Sequence, residues 1–111
     1  MRRALEQAVS RQLVGERPLG VFLSGGIDSA AVASFCADAQ KQPIRTYTMG
    51  FDEAGYDESH MAARTATHLG TDHTGLRALD KEFTAETFWK VVDHVGVPFS
   101  DSSAIPMYLI S

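Results

Sequence analysis

The sequence is organised around Ser24-Gly25-Gly26-Ile27-Asp28-Ser29-Ala30, a turn between an apolar run and an alanine-rich segment. The run before it, Leu19 to Leu23, is continuously apolar, which predicts a strand buried on both faces of a parallel sheet. The segment after it, Ile27 to Gln40, carries apolar residues at helical spacing. A second strand is predicted at Ile44 to Gly50, and together these elements form a strand, helix, strand unit.

The rest of the chain continues this alternation of helices and strands. Only three strands can be counted, whereas doubly wound sheets generally have about five or six. The sequence therefore predicts an α/β fold, Rossmann-like with three α/β/α layers, in which this chain holds only part of the parallel sheet. The remaining predicted elements are a helix over Arg2 to Val14, a helix from Asp57 as N-cap to Gly70, a strand near His73 to Arg77, a helix over Lys81 to Val95, and a last helix after Pro98, capped by Ser102 or Ser103, with Pro106 in its first turn.

Composition narrows the classes of function. The 111 residues include ten Lys and Arg against fourteen Asp and Glu, a net charge of −4, and no basic run long enough to indicate a nucleic-acid partner. No apolar stretch approaches the roughly 20 residues that span a bilayer. The lone Cys36 excludes an internal disulfide. We expect a cytoplasmic protein with no membrane partner.

The glycine- and serine-rich turn has the chemistry of an anion site. Consecutive glycines allow a sharp turn and bring backbone N–H groups against a ligand, and the following helix adds partial positive charge. Ser24 and Ser29 add hydroxyl donors. Asp28 is interpreted either as a Mg²⁺ ligand or as a helix N-terminal residue. The turn matches neither a Walker loop nor a dinucleotide-binding loop, so we expect a different polyphosphate site, with Mg²⁺.

The same heptapeptide resembles the SGGxDS[ST] motif of the N-type ATP pyrophosphatases, from which only Ala30 departs. Three further stretches resemble the synthetase domain of glutamine-dependent asparagine synthetases and occur in the same order along the chain. They are Tyr47 to Phe51 with Tyr56 to Ser59, His68 to His73, and the P-x-x-D-x-S-x-x-P-x-x-x-x-S stretch from Pro98 to Ser111.

This resemblance implies ATP and Mg²⁺ as cofactors and a set of binding residues. The loop from Ser24 to Ser29 would hold the polyphosphate, Asp28 a Mg²⁺, and the backbones of Leu23 and Met49 the adenine. The implied reaction adenylates the β-carboxylate of aspartate, releases pyrophosphate, and forms asparagine with glutamine-derived ammonia. The implied ATP-binding residues are Leu23, Ser24, Gly25, Gly26, Asp28, Ser29 and Met49.

The resemblance also implies what this chain does not contain. The family's glutaminase half begins with a nucleophilic Cys after the initiator Met, but Arg2 follows Met1 here. We therefore expect no glutaminase domain within these residues. Residues 1–111 are expected to be the N-terminal part of a synthetase domain, and a glutaminase domain is expected on the full-length chain. The catalytic residues are expected beyond Ser111, so the fragment alone is expected to be inactive.

Other functions remain open at this point. Relatives of the β-lactam synthetase or lasso-peptide cyclase type keep the ATP chemistry and change the acyl substrate. A non-catalytic nucleotide-binding module is favoured slightly by Ala30. Other pyrophosphate-loop enzymes, such as NAD or GMP synthetases, are disfavoured by the stretch from Pro98 to Ser111.

Several further side chains have simpler structural interpretations. Asp57 and Glu58 are candidates for substrate-side carboxylates, but a helix cap and an acid in the first turn explain them without a function. Asp101, with Ser103, is left open between capping and facing the substrate. Cys36 and Trp89 are expected in the core. The histidines lack a metal-ligand spacing and are expected to face solvent or to cap helices: His60, His68, His73 and His94.

Overall fold

The structure is a computed structural model that describes residues 1–15, 18–40, 42–51, 57–77, 84–97, 101 and 103–110. Helices and strands alternate along most of this part of the chain, as the sequence predicts. The elements are α1 (Arg2–Gln12), β1 (Gly20–Phe22), α2 (Ile27–Ala39), β2 (Arg45–Gly50), α3 (Ser59–Leu69), β3 (Asp72–Arg77), α4 (Ala85–Val95) and α5 (Ala104–Ile110).

The three strands form one parallel sheet in the order β1, β2, β3. Gly20 pairs with Arg45, and Arg45 with Asp72, so the strands start in register. All three carboxyl ends therefore meet at the same edge of the sheet, the edge where ligands bind in open α/β sheets. The partial parallel sheet flanked by helices confirms the predicted fold class.

The prediction that β1 is buried on both faces is wrong. In the described part of the chain β1 pairs with β2 alone and forms an edge of the sheet. Gly20 and Phe22 of β1 are exposed, Phe22 at 41%. Leu23, one residue beyond the strand, is 1% exposed and donates its backbone N–H to the Tyr47 carbonyl at 2.7 Å.

The core is built from small side chains between the sheet and its helices. Ala33 and Cys36 of α2 and Ala62 and Ala66 of α3 are each 4% exposed or less, and α2 contacts α3 directly. Small residues at these positions let the helix backbones approach the sheet closely. Burial raises the pKa of the Cys36 thiol, which confirms the prediction of a buried apolar role.

A hydrogen-bonded polar group lies beside this core. Thr46 is fully buried on β2, and its hydroxyl contacts the Thr71 hydroxyl at 2.8 Å and His73 Nδ1 at 2.9 Å. His73 is therefore partly buried against Thr46, in contrast to the predicted solvent-facing or helix-capping position. The three other histidines are exposed as predicted.

The helix starts differ from the prediction in two places. The N-cap position of α3 is Glu58, not Asp57, although Asp57 still accepts a hydrogen bond from the Ser59 N–H at 3.1 Å. Helix α4 begins at Ala85, four residues after the predicted start, and the extended Thr84 caps it by accepting from the Thr87 N–H. The C-cap of α3 is Gly70 with φ +66°, a conformation that favours glycine, as predicted.

The C-terminal helices carry large exposed side chains. Trp89 is 61% exposed, so its predicted place in the core is wrong. Helix α4 buries only Val91 among its described residues, and Trp89 packs edge to face on Phe88 with the ring centroids 5.4 Å apart. In the described ranges, every helix is too short or too polar to cross a membrane. Some predicted positions lie outside the described residues: Tyr56, Lys81, Pro98, Ser102 and Ser111.

Candidate nucleotide site

A cavity of about 470 Å³ opens at the carboxyl ends of β1 and β2. Its volume falls within the range of small-molecule sites. A second hollow, near the amino end of β2, is lined by Ser10, Leu13 and Gln42 among others, and it lies away from the strand ends that carry the loop. The cavity at the carboxyl ends is lined by Phe22, Leu23, Ser24, Ser29, Tyr47, Thr48, Met49, Phe51, Glu58, Ser103, Pro106, Met107 and Ile110.

Hydrogen bonds between two serines hold the loop between β1 and α2. The hydroxyls of Ser24 and Ser29 are 2.8 Å apart, and the Ser29 hydroxyl also accepts from the Ser24 N–H at 3.1 Å. The Gly26 N–H donates to the Ser24 hydroxyl at 3.1 Å, and the Ser29 hydroxyl donates to the Gly26 carbonyl at 3.0 Å. The loop is therefore preformed, and neutral hydroxyls accept two of its backbone N–H groups.

Gly25 is required for space, and neither glycine of the loop has a backbone conformation that favours glycine. Among the described residues only Gly70 and Gly96 have positive φ, and Gly26 has φ −80° and ψ 155°. A Cβ added to Gly25 would lie 2.9 Å from Glu58 Cβ and 3.2 Å from Met61 Cβ. A Cβ on Gly26 would meet only the Ser24 hydroxyl, at 3.3 Å.

Glu58 is a site residue that the sequence interpretation missed. Its Oε2 accepts a hydrogen bond from the Gly25 N–H at 3.0 Å, across 33 positions of sequence. The sequence favours an acid at a helix start over a substrate-side carboxylate for Glu58, since nothing local in the sequence points to the loop. The one available signal was its position after β2, because the ends of neighbouring parallel strands share one edge of the sheet.

Asp57 serves the start of α3. Hydrogen bonds from the Ser59 side chain and then from its backbone N–H hold the pKa of Asp57 below the ordinary value. The negative charge of Asp57 therefore supports the first turn of the helix from one position before the N-cap.

Helix α5 and the preceding Ser103 also line the cavity, and the contribution of the helix itself was not predicted from the sequence. Ser103 and Pro106 lie at its start, and Met107 and Ile110 follow at helical spacing. The Asp101 carboxylate accepts from both the Ser103 hydroxyl at 2.7 Å and the Ser103 N–H at 2.9 Å, which lowers the pKa of Asp101. These bonds favour capping, the first of its two predicted alternatives.

The predicted binding residues converge on one region. Leu23, Ser24, Ser29 and Met49 line the cavity. Gly25 and Gly26 form the adjoining loop, and Asp28 is exposed in the first turn of α2. Within the described ranges no group of three or more acidic, His or Cys side chains is arranged to hold a metal. A cation at Asp28 would therefore need oxygen ligands from a bound phosphate, as is usual for Mg²⁺.

Comparison with known proteins agrees with this geometry. The family model described as asparagine synthase matches residues 1–111, the whole chain. The chain belongs to the asparagine synthase family.

Relatives within the asparagine synthase family include both synthetases and a protein of another name. Asparagine synthetase [glutamine-hydrolyzing] 1 of Bacillus subtilis is 32% identical over all of this chain and 17% of its own length. Human asparagine synthetase is 31% identical over all of this chain and 20% of its own length. Amidase chyE of Penicillium rubens is 36% identical over 91% of this chain and 17% of its own length. The chain thus spans about a fifth or less of the relatives it matches.

The fold of this asparagine synthase chain also occurs in a solved structure. The NH3-dependent NAD synthetase of Campylobacter jejuni, in complex with nitrate, superposes with a TM-score of 0.59. The match covers 98% of this chain and 48% of the synthetase, at 18% identity. This likeness supports the fold alone.

Proposed function

We propose that residues 1–111 form the N-terminal, ATP-binding part of an amide-forming synthetase domain that makes asparagine. The observation that carries this proposal is the preformed loop of Ser24 to Ser29 at the carboxyl end of β1, beside a cavity that also contains Leu23 and Met49. The family match over the whole chain supports it.

The loop fits a polyphosphate. Its three N–H donors, on Ser24, Gly25 and Gly26, are directed at oxygen acceptors from Ser29, Glu58 and Ser24. A phosphate oxygen can replace such acceptors, and the adjacent start of α2 favours negative charge. In this proposal Ser24, Gly25, Gly26 and Ser29 bind the phosphates, and the backbones of Leu23 and Met49 contact adenine.

Asp28 is the proposed ligand of Mg²⁺. Carboxylate oxygen is the donor type that Mg²⁺ prefers, and one or two carboxylates together with phosphate oxygens commonly complete its shell. When bound, the ion neutralises charge on the polyphosphate. The chain's own contribution is to orient the α-phosphate for attack.

The proposed reaction has two steps. An oxygen of the aspartate β-carboxylate attacks the α-phosphorus of ATP, and the bond to the β-phosphate breaks to release pyrophosphate. Ammonia from glutamine then attacks the acyl carbon of the adenylate, loses a proton and expels AMP. The residues that catalyse these steps are proposed to lie after Ser111. The glutaminase is proposed to be a further domain of the full-length protein. The protein is proposed to act in the cytoplasm. Residues 1–111 alone are expected to be inactive.

A second candidate is the same adenylating chemistry on another acyl substrate. The specific observation that favours it is the 36% identity to amidase chyE, at least as high as the identity to the asparagine synthetases compared above. Residues 1–111 contain the proposed ATP site, which both candidates share.

The deciding experiment measures pyrophosphate release from ATP by the full-length protein with aspartate and either ammonia or glutamine. Release that depends on aspartate and is matched by asparagine supports the first candidate. Release that requires a different carboxylate supports the second. ATP binding without release for any carboxylate tested contradicts both and favours a non-catalytic nucleotide-binding module.

A further inference from the structure

The start of α3 brings a carboxylate to a loop proposed to bind anions. Glu58 Oε2 lies 3.0 Å from the Gly25 nitrogen and lines the same cavity as Ser24 and Ser29. We propose that Glu58 is a specificity-determining residue. Its carboxylate accepts the Gly25 N–H and so competes with free anions for it. The carboxylate releases this N–H when the incoming phosphate carries a divalent cation. This inference rests on the proposed polyphosphate function of the loop.

Packing holds Glu58 in this position. An added Cβ on Gly25 would lie 2.9 Å from Glu58 Cβ and 3.2 Å from Met61 Cβ, so the loop backbone and the first turn of α3 are in close contact. At this separation the Glu58 carboxylate reaches the Gly25 N–H directly. The contact therefore follows from how α3 packs on the loop.

The acceptor on Gly25 differs in charge from those on its neighbours. The Ser24 and Gly26 N–H groups donate to neutral hydroxyls, and Gly25 alone of these three donates to an acidic side chain. A phosphate oxygen can replace a hydroxyl without electrostatic opposition. A phosphate oxygen that takes the place of the Glu58 carboxylate on the Gly25 N–H brings a phosphate charge next to a carboxylate charge. The two charges repel each other at this range.

A divalent cation changes the sign of this interaction. Mg²⁺ commonly binds one or two carboxylates together with phosphate oxygens, so a cation on the phosphate can attract the carboxylate that would repel the free anion. Glu58 is exposed and can turn away from Gly25 towards such a cation. The expected result is a loop that binds metal-complexed polyphosphate in preference to the free anion.

The test measures binding of inorganic pyrophosphate to the full-length protein by calorimetry, once with Mg²⁺ and once with a chelator. Glu58→Gln keeps the shape and removes the charge. We expect it to bind metal-free pyrophosphate roughly three- to tenfold more tightly than wild type, which is the net scale of one ordinary hydrogen bond. Its affinity with Mg²⁺ should stay equal or fall, so the preference for the metal complex decreases.

Two further variants make the result specific. Glu58→Ala should lose the same preference, and circular dichroism checks that both variants are folded. Glu86→Gln removes an exposed acid of equal charge on α4, where Glu86 pairs with Lys90, and it should change neither affinity. A structural change in the loop would instead shift the affinities for metal-free and Mg²⁺-bound pyrophosphate in the same direction.

The outcomes separate this inference from the proposed function. Equal shifts for both forms of pyrophosphate, or none, in the Glu58 variants overturn the inference and leave the proposed ATP site standing. A wild-type protein that binds neither pyrophosphate nor ATP under either condition overturns both.

Discussion

The loop after β1 and the start of α3 lie side by side at one edge of the sheet, and they carry opposite chemistry. The first presents glycine N–H groups and the hydroxyls of Ser24 and Ser29. The second presents the carboxylates of Asp57 and Glu58. Neighbouring parallel strands thus supply donors from one turn and acceptors from the next, and the Gly25 to Glu58 hydrogen bond joins the two.

The difference extends to how each helix begins. Helix α2 starts after Gly26 with no hydrogen bond from a capping side chain at that position. The Asp57 carboxylate accepts the Ser59 N–H at the start of α3. The loop before α2 leaves the N–H groups at the start of that helix directed towards an anion. At the start of α3, a carboxylate of the chain itself accepts an N–H group. This comparison leads to four predictions.

The largest expected effect comes from adding a side-chain atom between the loop after β1 and the start of α3. Gly25→Ala would place a Cβ 2.9 Å from Glu58 Cβ, an atom fixed to the α3 backbone, so the helix or the loop must shift. We expect the free energy of unfolding to fall by about 1–3 kcal/mol, the usual cost of overpacking. Chemical denaturation of the full-length protein measures it.

Gly26→Ala is the matched control for Gly25→Ala, because its Cβ meets only the Ser24 hydroxyl at 3.3 Å. It should leave stability nearly unchanged. Equal destabilisation by the two alanines would show that α3 does not pack on Gly25 as described.

The second prediction concerns the hydroxyl that organises the donor turn. Ser29→Ala removes hydrogen bonds to the Ser24 N–H, the Ser24 hydroxyl and the Gly26 carbonyl. Loss of this network should weaken ATP binding roughly 5- to 30-fold, or about 1–2 kcal/mol. Calorimetry checks it, with Ser10→Ala on α1 as the control. Unchanged affinity in Ser29→Ala would argue that the phosphates bind elsewhere.

The third prediction tests Asp28 as the metal ligand of the donor turn. Asp28→Asn removes the charge of an exposed residue and should leave the fold intact. MgATP affinity should fall roughly tenfold, or about 1.4 kcal/mol, while affinity for metal-free ATP should not fall. Titration of ATP with and without Mg²⁺ measures the difference. The same loss in both titrations would remove Asp28 from the metal site.

The smallest effect is expected at Asp57, in the acceptor turn. Its pKa is lowered in the folded protein by hydrogen bonds from Ser59, so the stabilisation is present above the ordinary pKa of aspartate and is lost as pH falls through the folded value. Asp57→Asn should therefore lower stability slightly at neutral pH and reduce the loss of stability on acidification below about pH 4. Thermal denaturation across pH measures this. Identical pH profiles for wild type and variant would contradict it.

Much of the fold was predictable because it depends on residues that are near in sequence. Apolar spacing located the helices and strands to within a few residues, and Gly70 was identified as a helix end. The errors occurred where the surroundings decide. Phe22 and Trp89 are apolar and were assigned to the interior, yet they are 41% and 61% exposed because no described element covers them.

The candidate site divides in the same way. Ser24 and Ser29 lie five positions apart and could be assigned to one loop by their motif alone. Glu58 and the cavity face of α5 could not be found, because their partners are distant in sequence and their local patterns already had a sufficient explanation as helix starts.

By itself, the sequence determined the alternation of strands and helices, the hydroxyl and glycine chemistry of the loop, and membership of a family. Only the tertiary structure decided that β1 is an edge strand, that Gly25 is needed for space, and that Glu58 accepts its N–H across 33 positions. The physical reason is that backbone preferences and periodicity act between near neighbours. Charge pairing and steric contact depend on which segments packing brings together.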